Sequence, residues 1–206
     1  MDKNIKDIIK ASYENNASIR DRAEVIGWKV DVLDDYLAVA HENNVKTVLD
    51  FGSGAGQYAK YLEKNGMDMT CIDLADEMVK LCESKGLKAR QMDFYNIEFE
   101  DDSFDSVWAM STLPHVPKKS LGHVLDNMKR IVKNNGIIFI GVYGGKTFEG
   151  IWEEDFYEPK RFFSFFEDED MKSFIANHFE IIDFNVIEDE DGGLNYQSMI
   201  LRNKKQ

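Results

Sequence analysis

A glycine-rich turn flanked by two carboxylates is the feature of this chain with the most specific chemistry. Residues 48–57 read Val-Leu-Asp-Phe-Gly-Ser-Gly-Ala-Gly-Gln, and a second carboxylate, Asp73, follows. This pattern is typical of a parallel sheet: an apolar run is followed by a glycine turn, the start of a helix and a second apolar run that ends in an acid. Such a sheet binds a nucleoside beyond the carboxyl ends of its strands. The pattern therefore predicts a nucleoside site.

The spacing of the glycines indicates which nucleoside this site holds. A pyrophosphate site uses Gly-x-Gly-x-x-Gly, whereas this chain has Gly52-x-Gly54-x-Gly56. Asp50 stands two residues before the first glycine, where a carboxylate disfavours a pyrophosphate and suits an ammonium group. S-adenosylmethionine carries an ammonium group, a sulfonium charge, an adenine and a ribose, but no phosphate. The turn, Asp50 and Asp73 together predict this cofactor, and Ser53 is included in its site.

Asp73 and Asp93 each follow a predicted strand, where they could contact different parts of the nucleoside. Asp73 can accept hydrogen bonds from both ribose hydroxyls, a role that an acid at this position also has toward NAD. Asp93 can accept a hydrogen bond from the adenine amino group, although a turn or a helix cap explains that residue alone equally well. The residues expected to form apolar walls around the adenine are Leu74, Met78 and Phe94.

With these motifs the chain resembles the class I S-adenosylmethionine-dependent methyltransferases over roughly residues 45–205. The matching segments are 48–56, 71–74, 92–94, 104–110, 113–116 and 128–140. The resemblance implies a cofactor site lined by Asp50, Gly52, Gly54, Asp73, Leu74, Asp93, Phe94 and Met110. It also implies in-line transfer of the methyl group to an oxygen, nitrogen, sulfur or carbon atom of a small molecule, with S-adenosylhomocysteine as the product. The acceptor atom stays open.

Length, composition and charge exclude several other classes. The 206 residues, 43% of them hydrophobic, suffice for one α/β domain with a sizeable core. No stretch is apolar enough to span a bilayer and no secretory signal opens the chain, so a cytoplasmic protein without a membrane partner is expected. A formal charge of −13 and the absence of a basic stripe argue against nucleic acid. We expect a monomer or a homodimer.

The two cysteines, Cys71 and Cys82, are interpreted as buried reduced thiols. Neither has a histidine or another cysteine at the spacing of metal ligands, and the sequence therefore predicts no metal site.

Strand and helix patterns alternate from residue 47 to residue 142, which predicts an α/β, Rossmann-like, doubly wound sheet with helices on both faces. The sheet is expected to be mostly parallel. Residues 1–44 are predicted to form N-terminal helices that act as a lid, and residues 45–206 the core of a single domain spanning 1–206. The last two strands are predicted to form an antiparallel hairpin joined at residues 192–193. Left-handed helix caps are expected at Gly66, Gly86, Gly136 and Asn177.

The substrate side must come from elements above the edge of the sheet. Tyr13 is predicted to cover the cofactor as part of a lid, or else to end a packing helix. Tyr143 and the aromatic residues of segment 152–166 are further candidates for contact with a substrate, although most of these rings should belong to the core. Arg161 lies among them and is predicted either to clamp a substrate carboxylate or to form a surface ion pair.

His115 is the candidate for acid–base chemistry. It follows the fourth predicted strand, near the expected position of the methyl group, and an imidazole titrates near neutral pH. The alternative is that His115 only braces its loop.

Two interpretations from other classes remain. A nicotinamide-dependent oxidoreductase would share the glycines and Asp73, but Asp50 and the glycine spacing disfavour it. A non-catalytic protein that binds S-adenosylmethionine would keep the three carboxylates, and the sequence does not distinguish it from an enzyme.

Overall fold

A seven-stranded sheet runs through the centre of the computed structural model, which describes residues 3–25, 27–189 and 193–205. The helices are α1 (Lys3–Asn15), α2 (Ala17–Asp21), α3 (Trp28–Glu42), α4 (Gln57–Lys64), α5 (Asp76–Ser84), α6 (Lys118–Ile131) and α7 (Asp168–Ala176). The strands are β1 (Thr47–Phe51), β2 (Asp68–Asp73), β3 (Lys88–Gln91), β4 (Phe104–Met110), β5 (Val132–Gly144), β6 (Phe148–Ile151), β7 (Phe162–Phe165), β8 (Glu180–Ile187) and β9 (Asn195–Arg202).

The order of the strands creates a crevice at the predicted glycine turn. The sheet runs β3-β2-β1-β4-β5-β9-β8. Strands β1 to β5 pair in parallel, and β9 pairs antiparallel with both β5 and β8. The chain leaves β1 toward β2 and later returns to the other side of β1 as β4, so a crevice opens between the carboxyl ends of β1 and β4. The predicted α/β fold class is confirmed.

Strand β1 is buried on both faces, as expected for a central parallel strand. Val48, Leu49 and Phe51 have no exposed surface. Val48 packs into a core cluster with residues of α3 and α4, whereas Leu49 and Phe51 pack into the cluster that contains α6 and α7. Because side chains alternate along a strand, Asp50 lies on the same face as Val48.

Two of the four predicted helix caps are wrong. Gly66 and Gly86 have φ of 92° and 78°, as predicted, but Gly136 does not have a positive φ. Asn135 takes that conformation instead, with a φ of 63°, and Gly136 lies inside β5, where a Cβ would stand 2.6 Å from the carbonyl oxygen of Asp105. Asn177 has a right-handed φ of −75°.

The segment after β5 contains a two-stranded antiparallel sheet, β6–β7, that the sequence did not predict. The predicted hairpin of β8 and β9 is present, and residue 192 of its predicted turn at 192–193 lies outside the described residues. No helix in the described ranges is long and apolar enough to cross a bilayer.

Candidate functional site

A cavity of about 430 Å³ opens at the carboxyl ends of the central strands. Its volume is in the range of small-molecule and cofactor sites. Eleven of the fourteen candidate site residues line it: Tyr13, Gly52, Gly54, Asp73, Leu74, Asp93, Phe94, Met110, His115, Tyr143 and Arg161. Asp50, Ser53 and Met78 do not.

The glycine turn forms one wall of the cavity, and two of its glycines are needed for their conformation. Gly52 has a φ of 83°, and a Cβ there would lie 2.4 Å from Cγ2 of Thr112, in the loop that follows β4. Gly54 has a φ of 52°. Both values are strained for residues with side chains. The turn therefore brings its backbone to the cavity without side chains in the way.

Asp73, at the end of β2, holds the turn in place. Its Oδ2 accepts a hydrogen bond of 2.9 Å from the N–H of Gly54, and its Oδ1 accepts one of the same length from the N–H of Ala75. Burial raises the pKa of Asp73, although these two N–H groups and the positive charge of Arg20 oppose that effect. Each carboxylate oxygen has a further lone pair available for a ligand hydroxyl.

Asp50 lies beneath the turn and carries a buried oxygen without a partner. The residue is 2% exposed, and its Oδ2 has no hydrogen-bond partner among the described residues. Burial raises the pKa of Asp50 well above its ordinary value, and the nearby Cys82 and Asp73 add to the effect. A buried carboxylate in this state lacks a cation or a hydrogen-bond donor.

Ser53 and Met78 take part in packing and not in the cavity wall. The hydroxyl of Ser53 lies 3.5 Å from Sγ of Cys82. Met78 is fully buried on α5, in a small cluster with Ala55 and Ala75, which corrects its predicted place beside an adenine.

One end of the cavity combines apolar walls with a structured turn. Leu74 and Phe94 line it, and the ring of Phe94 stacks on Phe51 with a centroid distance of 4.5 Å. Asp93 accepts a hydrogen bond of 3.1 Å from the N–H of Tyr95 and pairs with Lys6 of α1. The turn role that we considered for Asp93 is therefore present, and the residue also faces the cavity.

Arg20 lines the cavity and was not among the residues predicted for the site. It lies on α2, and its Nη2 is 3.5 Å from the point where a Cβ of Gly54 would stand. Its Nε is buried without a hydrogen-bond partner, and no ion pair joins Arg20 to a carboxylate within the described ranges. The guanidinium contacts Tyr157 through a hydrogen bond and still lacks a carboxylate partner, which suits an anionic group of a ligand bound at the glycine turn.

Another region of the cavity wall contains a chain of polar groups surrounded by aromatic rings. Nε and Nη2 of Arg161 donate to the two carboxylate oxygens of Asp155 at 2.8 and 2.7 Å. Nη1 of Arg161 donates to the hydroxyl of Tyr13 at 3.1 Å, and that hydroxyl lies 2.8 Å from Nε2 of His115. Nδ1 of His115 lies 2.9 Å from the carbonyl oxygen of Phe162.

These contacts correct the predicted role of Arg161. Asp155 takes the edge of the guanidinium formed by Nε and Nη2, and Tyr13 accepts from Nη1, so the predicted clamp on a substrate carboxylate stays a prediction for the remaining N–H groups alone. The ion pair is also buried, since both residues are 8% exposed, and is not the surface pair that we considered. Aromatic rings of Tyr13, Tyr157 and Phe163 lie 5.3, 4.1 and 5.1 Å from the guanidinium carbon.

His115 is held in a defined neutral form. A carbonyl oxygen only accepts hydrogen bonds, so the proton of the ring must be on Nδ1 and Nε2 must accept from the hydroxyl of Tyr13. Burial, together with the charge of Arg161, lowers the pKa of His115 to about 3. Nε2 of the imidazole is therefore unprotonated at neutral pH and can accept a proton.

The cavity wall next to His115 is aromatic. Phe163 lies 4.7 Å from the imidazole, centroid to centroid, and Trp152 and Phe165 are 5.4 Å apart. Ser111, after β4, also lines the cavity and has a φ of 59°, an unusual conformation for a residue with a side chain. Strained residues of this kind occur often at functional sites.

Comparison with known proteins finds similarity to methyltransferases. Residues 49–140 match the model of a family described as a methyltransferase domain. A ubiquinone biosynthesis O-methyltransferase of Xanthomonas oryzae pv. oryzae (strain PXO99A) is 30% identical over 113 residues, which cover 52% of this chain and 46% of that protein. The protein of the same description from Nitrosomonas europaea is 27% identical over 134 residues, 62% of this chain and 55% of its own. The chain thus spans about half the length of these relatives.

Over residues 49–140 the chain is therefore similar to methyltransferase domains. Solved structures share the fold. The 1,6-didemethyltoxoflavin-N1-methyltransferase of Burkholderia thailandensis, solved with S-adenosylhomocysteine, has a TM-score of 0.71 at 19% identity, covering 97% of this chain and 87% of its own. A methyltransferase of Methanosarcina mazei has a TM-score of 0.69 at 18% identity, covering 82% and 98%.

The residues of the cavity fit the predicted cofactor, S-adenosylmethionine. Asp50 lies outside the cavity lining, so its unpartnered Oδ2 would act on the ammonium group of the amino-acid tail through its charge, whereas Arg20 lies in the lining and suits the carboxylate of the tail. The open backbone at Gly54 leaves room for the ligand, and Asp73 has lone pairs for ribose hydroxyls. These assignments stay predictions, as do those of the other site residues.

The residues that sequence reasoning missed belong to segments without a recognisable pattern. Arg20 lies on a helix of five residues, and Asp155 lies in the connection between β6 and β7. The only available signal was the position of Asp155 six residues before Arg161 in an aromatic-rich segment.

Proposed function

We propose that this protein is a class I S-adenosylmethionine-dependent methyltransferase and that it transfers the methyl group of S-adenosylmethionine to a hydroxyl oxygen of a small aromatic acceptor. The observation that carries the proposal is the continuity of one cavity. The wall of this cavity includes both the glycine turn with Asp73 and the aromatic residues around His115. A cofactor and a flat acceptor could therefore lie next to each other in the same cavity.

The residues around the glycine turn would hold the cofactor. Asp73 would accept hydrogen bonds from the ribose, and Leu74 and Phe94 would enclose the adenine. Arg20 would pair with the carboxylate of the amino-acid tail, and the negative charge of Asp50 would favour its ammonium group. When bound, S-adenosylmethionine supplies a methyl group on a positively charged sulfur.

The residues around His115 favour an aromatic acceptor with a hydroxyl group. Trp152, Phe163 and Phe165 line the cavity and offer faces and edges for stacking against a planar ring. The Nε2 of His115 and the hydroxyl of Tyr13 supply the polar groups. The relatives named as ubiquinone biosynthesis O-methyltransferases support oxygen as the methylated atom.

The protein's contribution to the reaction is alignment and exclusion of water. Holding the acceptor oxygen in line with the methyl–sulfur bond converts an encounter in solution into a reaction between positioned groups. An aromatic wall excludes water, which would otherwise solvate the acceptor oxygen. No covalent bond to the protein is required.

The proposal includes a small-molecule acceptor, a cytoplasmic location, one domain spanning 1–206, and a monomer or homodimer without a nucleic-acid partner. The net charge of −13 supports the last point, because phosphate backbones repel an acidic surface.

Calorimetric titration followed by an activity assay tests the proposal. We expect S-adenosylmethionine and S-adenosylhomocysteine to bind and NAD not to bind. We also expect transfer of a radiolabelled methyl group from S-adenosylmethionine to the oxygen of catechol. Binding of NAD in place of the two sulfur compounds would contradict the assignment of the cofactor, and methylation of aniline but not of catechol would contradict oxygen as the acceptor atom.

The substitution Arg20→Met should weaken binding of S-adenosylhomocysteine by about 10- to 100-fold, because a charge-assisted contact with the carboxylate is lost. 5′-Methylthioadenosine provides the matched control ligand, since it has the adenine and ribose but no carboxylate. Its affinity should be the same in both proteins when measured by calorimetry. Equal losses for the two ligands would show that Arg20 shapes the cavity without binding the carboxylate.

A further inference from the structure

The hydroxyl of Tyr13 lies between Arg161 and His115, next to the region of the cavity that we assign to the methyl acceptor. It lies 2.8 Å from Nε2 of His115 and 3.1 Å from Nη1 of Arg161. Arg161 can only donate, and Nε2 of the neutral His115 can only accept. The direction of both hydrogen bonds is thus fixed: Arg161 donates to Tyr13, and Tyr13 donates to His115.

This arrangement leaves one position free on the hydroxyl oxygen of Tyr13. A hydroxyl has one proton and two lone pairs, and Arg161 uses one of the lone pairs. The second lone pair is available to a hydroxyl group of a bound molecule, and Tyr13 and His115 both line the cavity. An acceptor hydroxyl could therefore donate to Tyr13 while Tyr13 donates to His115.

We propose that Tyr13 and His115 act together as the catalytic base that takes the proton of the acceptor hydroxyl. The inference rests on the proposed function. As the acceptor oxygen forms its bond to the methyl carbon, the methyl–sulfur bond breaks and its electron pair stays on the sulfur. The proton of the acceptor hydroxyl moves to the oxygen of Tyr13, and the proton of Tyr13 moves to Nε2 of His115. After product release, His115 returns the proton through Tyr13 to water.

The environment of His115 suits a base that is used briefly. Burial and Arg161 keep the imidazole neutral in the resting protein, so its base form is present throughout the neutral range. Once the imidazole is protonated, both of its nitrogens would still have a hydrogen-bond acceptor. Nδ1 would donate to the carbonyl oxygen of Phe162, and Nε2 to the oxygen of Tyr13. The charge is unfavourable there, which speeds the return of the proton.

The two members of the base come from different parts of the chain. Tyr13 lies on α1, before the segment of 49–140 that matches the family, and His115 lies inside that segment. Asp155 and Arg161 come from the connection between β6 and β7. Docking of α1 over the cavity thus completes the base at the same time as it covers the acceptor.

Two acceptors of different acidity test the inference. Catechol is protonated at neutral pH, whereas 4-nitrocatechol is largely ionised and needs no base. With catechol we expect Tyr13→Phe and His115→Gln to lower kcat by about 10²- to 10⁴-fold, with the affinity for S-adenosylhomocysteine retained. With 4-nitrocatechol the loss should be less than about 10-fold. The double variant should be no slower than the slower single variant, since the two residues act as a unit.

The matched control is Tyr61→Phe, which removes a phenol hydroxyl that donates to Asp34 on the protein surface, away from the cavity. It should leave kcat unchanged for both acceptors. Equal losses with the two catechols, or an unchanged kcat with catechol in Tyr13→Phe, would overturn the inference and leave the proposed function intact. Failure of the wild-type protein to bind S-adenosylhomocysteine, or to methylate either catechol, would overturn the proposed function and this inference with it.

Discussion

The substitution Asp155→Ala is expected to lower the free energy of unfolding by about 3–5 kcal/mol, because it leaves a buried guanidinium without its counter-ion. Asp155 accepts three hydrogen bonds from Arg161, two from the guanidinium and one of 2.9 Å from the backbone N–H. Both residues are 8% exposed. The surrounding rings give Arg161 cation–π contacts but no hydrogen-bond acceptor in place of the carboxylate.

Urea denaturation of three variants checks this prediction. Glu153→Ala removes the carboxylate of the neighbouring pair with Lys160, in which Glu153 is 81% exposed in its side chain, and should cost less than about 1 kcal/mol. Arg161→Met, in the Asp155→Ala background, should recover part of the loss because an apolar side chain suits the aromatic surrounding. A change below about 1 kcal/mol in Asp155→Ala would show that water replaces the carboxylate and that the pair is not effectively buried.

The Asp155–Arg161 pair also affects the geometry of the candidate site. Arg161 is a positioning residue, because it donates to the hydroxyl that we assign to the catalytic base. Asp155 fixes two of the nitrogens of that guanidinium, so loss of Asp155 should also disorder the hydrogen bond to Tyr13. The stability of the β6–β7 connection and the geometry of the base are thus linked through one side chain.

Local patterns explain what the sequence could predict. Strand β1, the glycine turn and Asp73 are defined by short-range requirements: burial on two faces, positive φ and a carboxylate at a strand end. These requirements are visible within about thirty residues of sequence. The place of Gly52 and Gly54 in the cavity wall follows from them directly.

Contacts between distant segments explain what the sequence could not predict. Arg20 reaches Gly54 from a helix of five residues, and nothing in the order of residues near either position specifies that approach. The partner of Arg161 was uncertain for the same reason, since an arginine among aromatic residues fits a surface pair, a substrate clamp or a buried pair equally well. Gly136 was misassigned because the tight packing against Asp105 is a tertiary contact.

Asp50→Asn is expected to change stability and cofactor affinity in opposite directions. In the protein without cofactor, the buried oxygen of Asp50 has no partner, and its ionised form is therefore unfavourable. Replacing the ionisable carboxyl group by a neutral amide should raise the free energy of unfolding at neutral pH by about 1–3 kcal/mol. Binding of S-adenosylmethionine should weaken by about 10- to 100-fold, because the ammonium group loses the negative charge beneath it.

The pH dependence separates this effect from a change in packing. The pKa of Asp50 is raised in the folded protein, so the folded state binds a proton more tightly than the unfolded chain, whose carboxyl ionises near 3.8. The wild-type protein therefore loses stability as pH rises above about 4 toward the raised pKa, and Asp50→Asn does not. The difference between the two proteins should be small at low pH and should grow as pH rises.

Denaturation at several pH values, without cofactor, measures that difference, and calorimetry measures the affinity. Asp68→Asn makes the same chemical change at an exposed carboxylate of β2, paired with Lys88, and should alter stability by less than about 0.5 kcal/mol at every pH. If Asp50→Asn were destabilised at neutral pH, Asp50 would have a protein partner that the folded state depends on. An unchanged affinity would remove Asp50 from the cofactor site. Opposite signs in the two measurements would show that the protein retains an unfavourable buried carboxyl group because the proposed cofactor requires it.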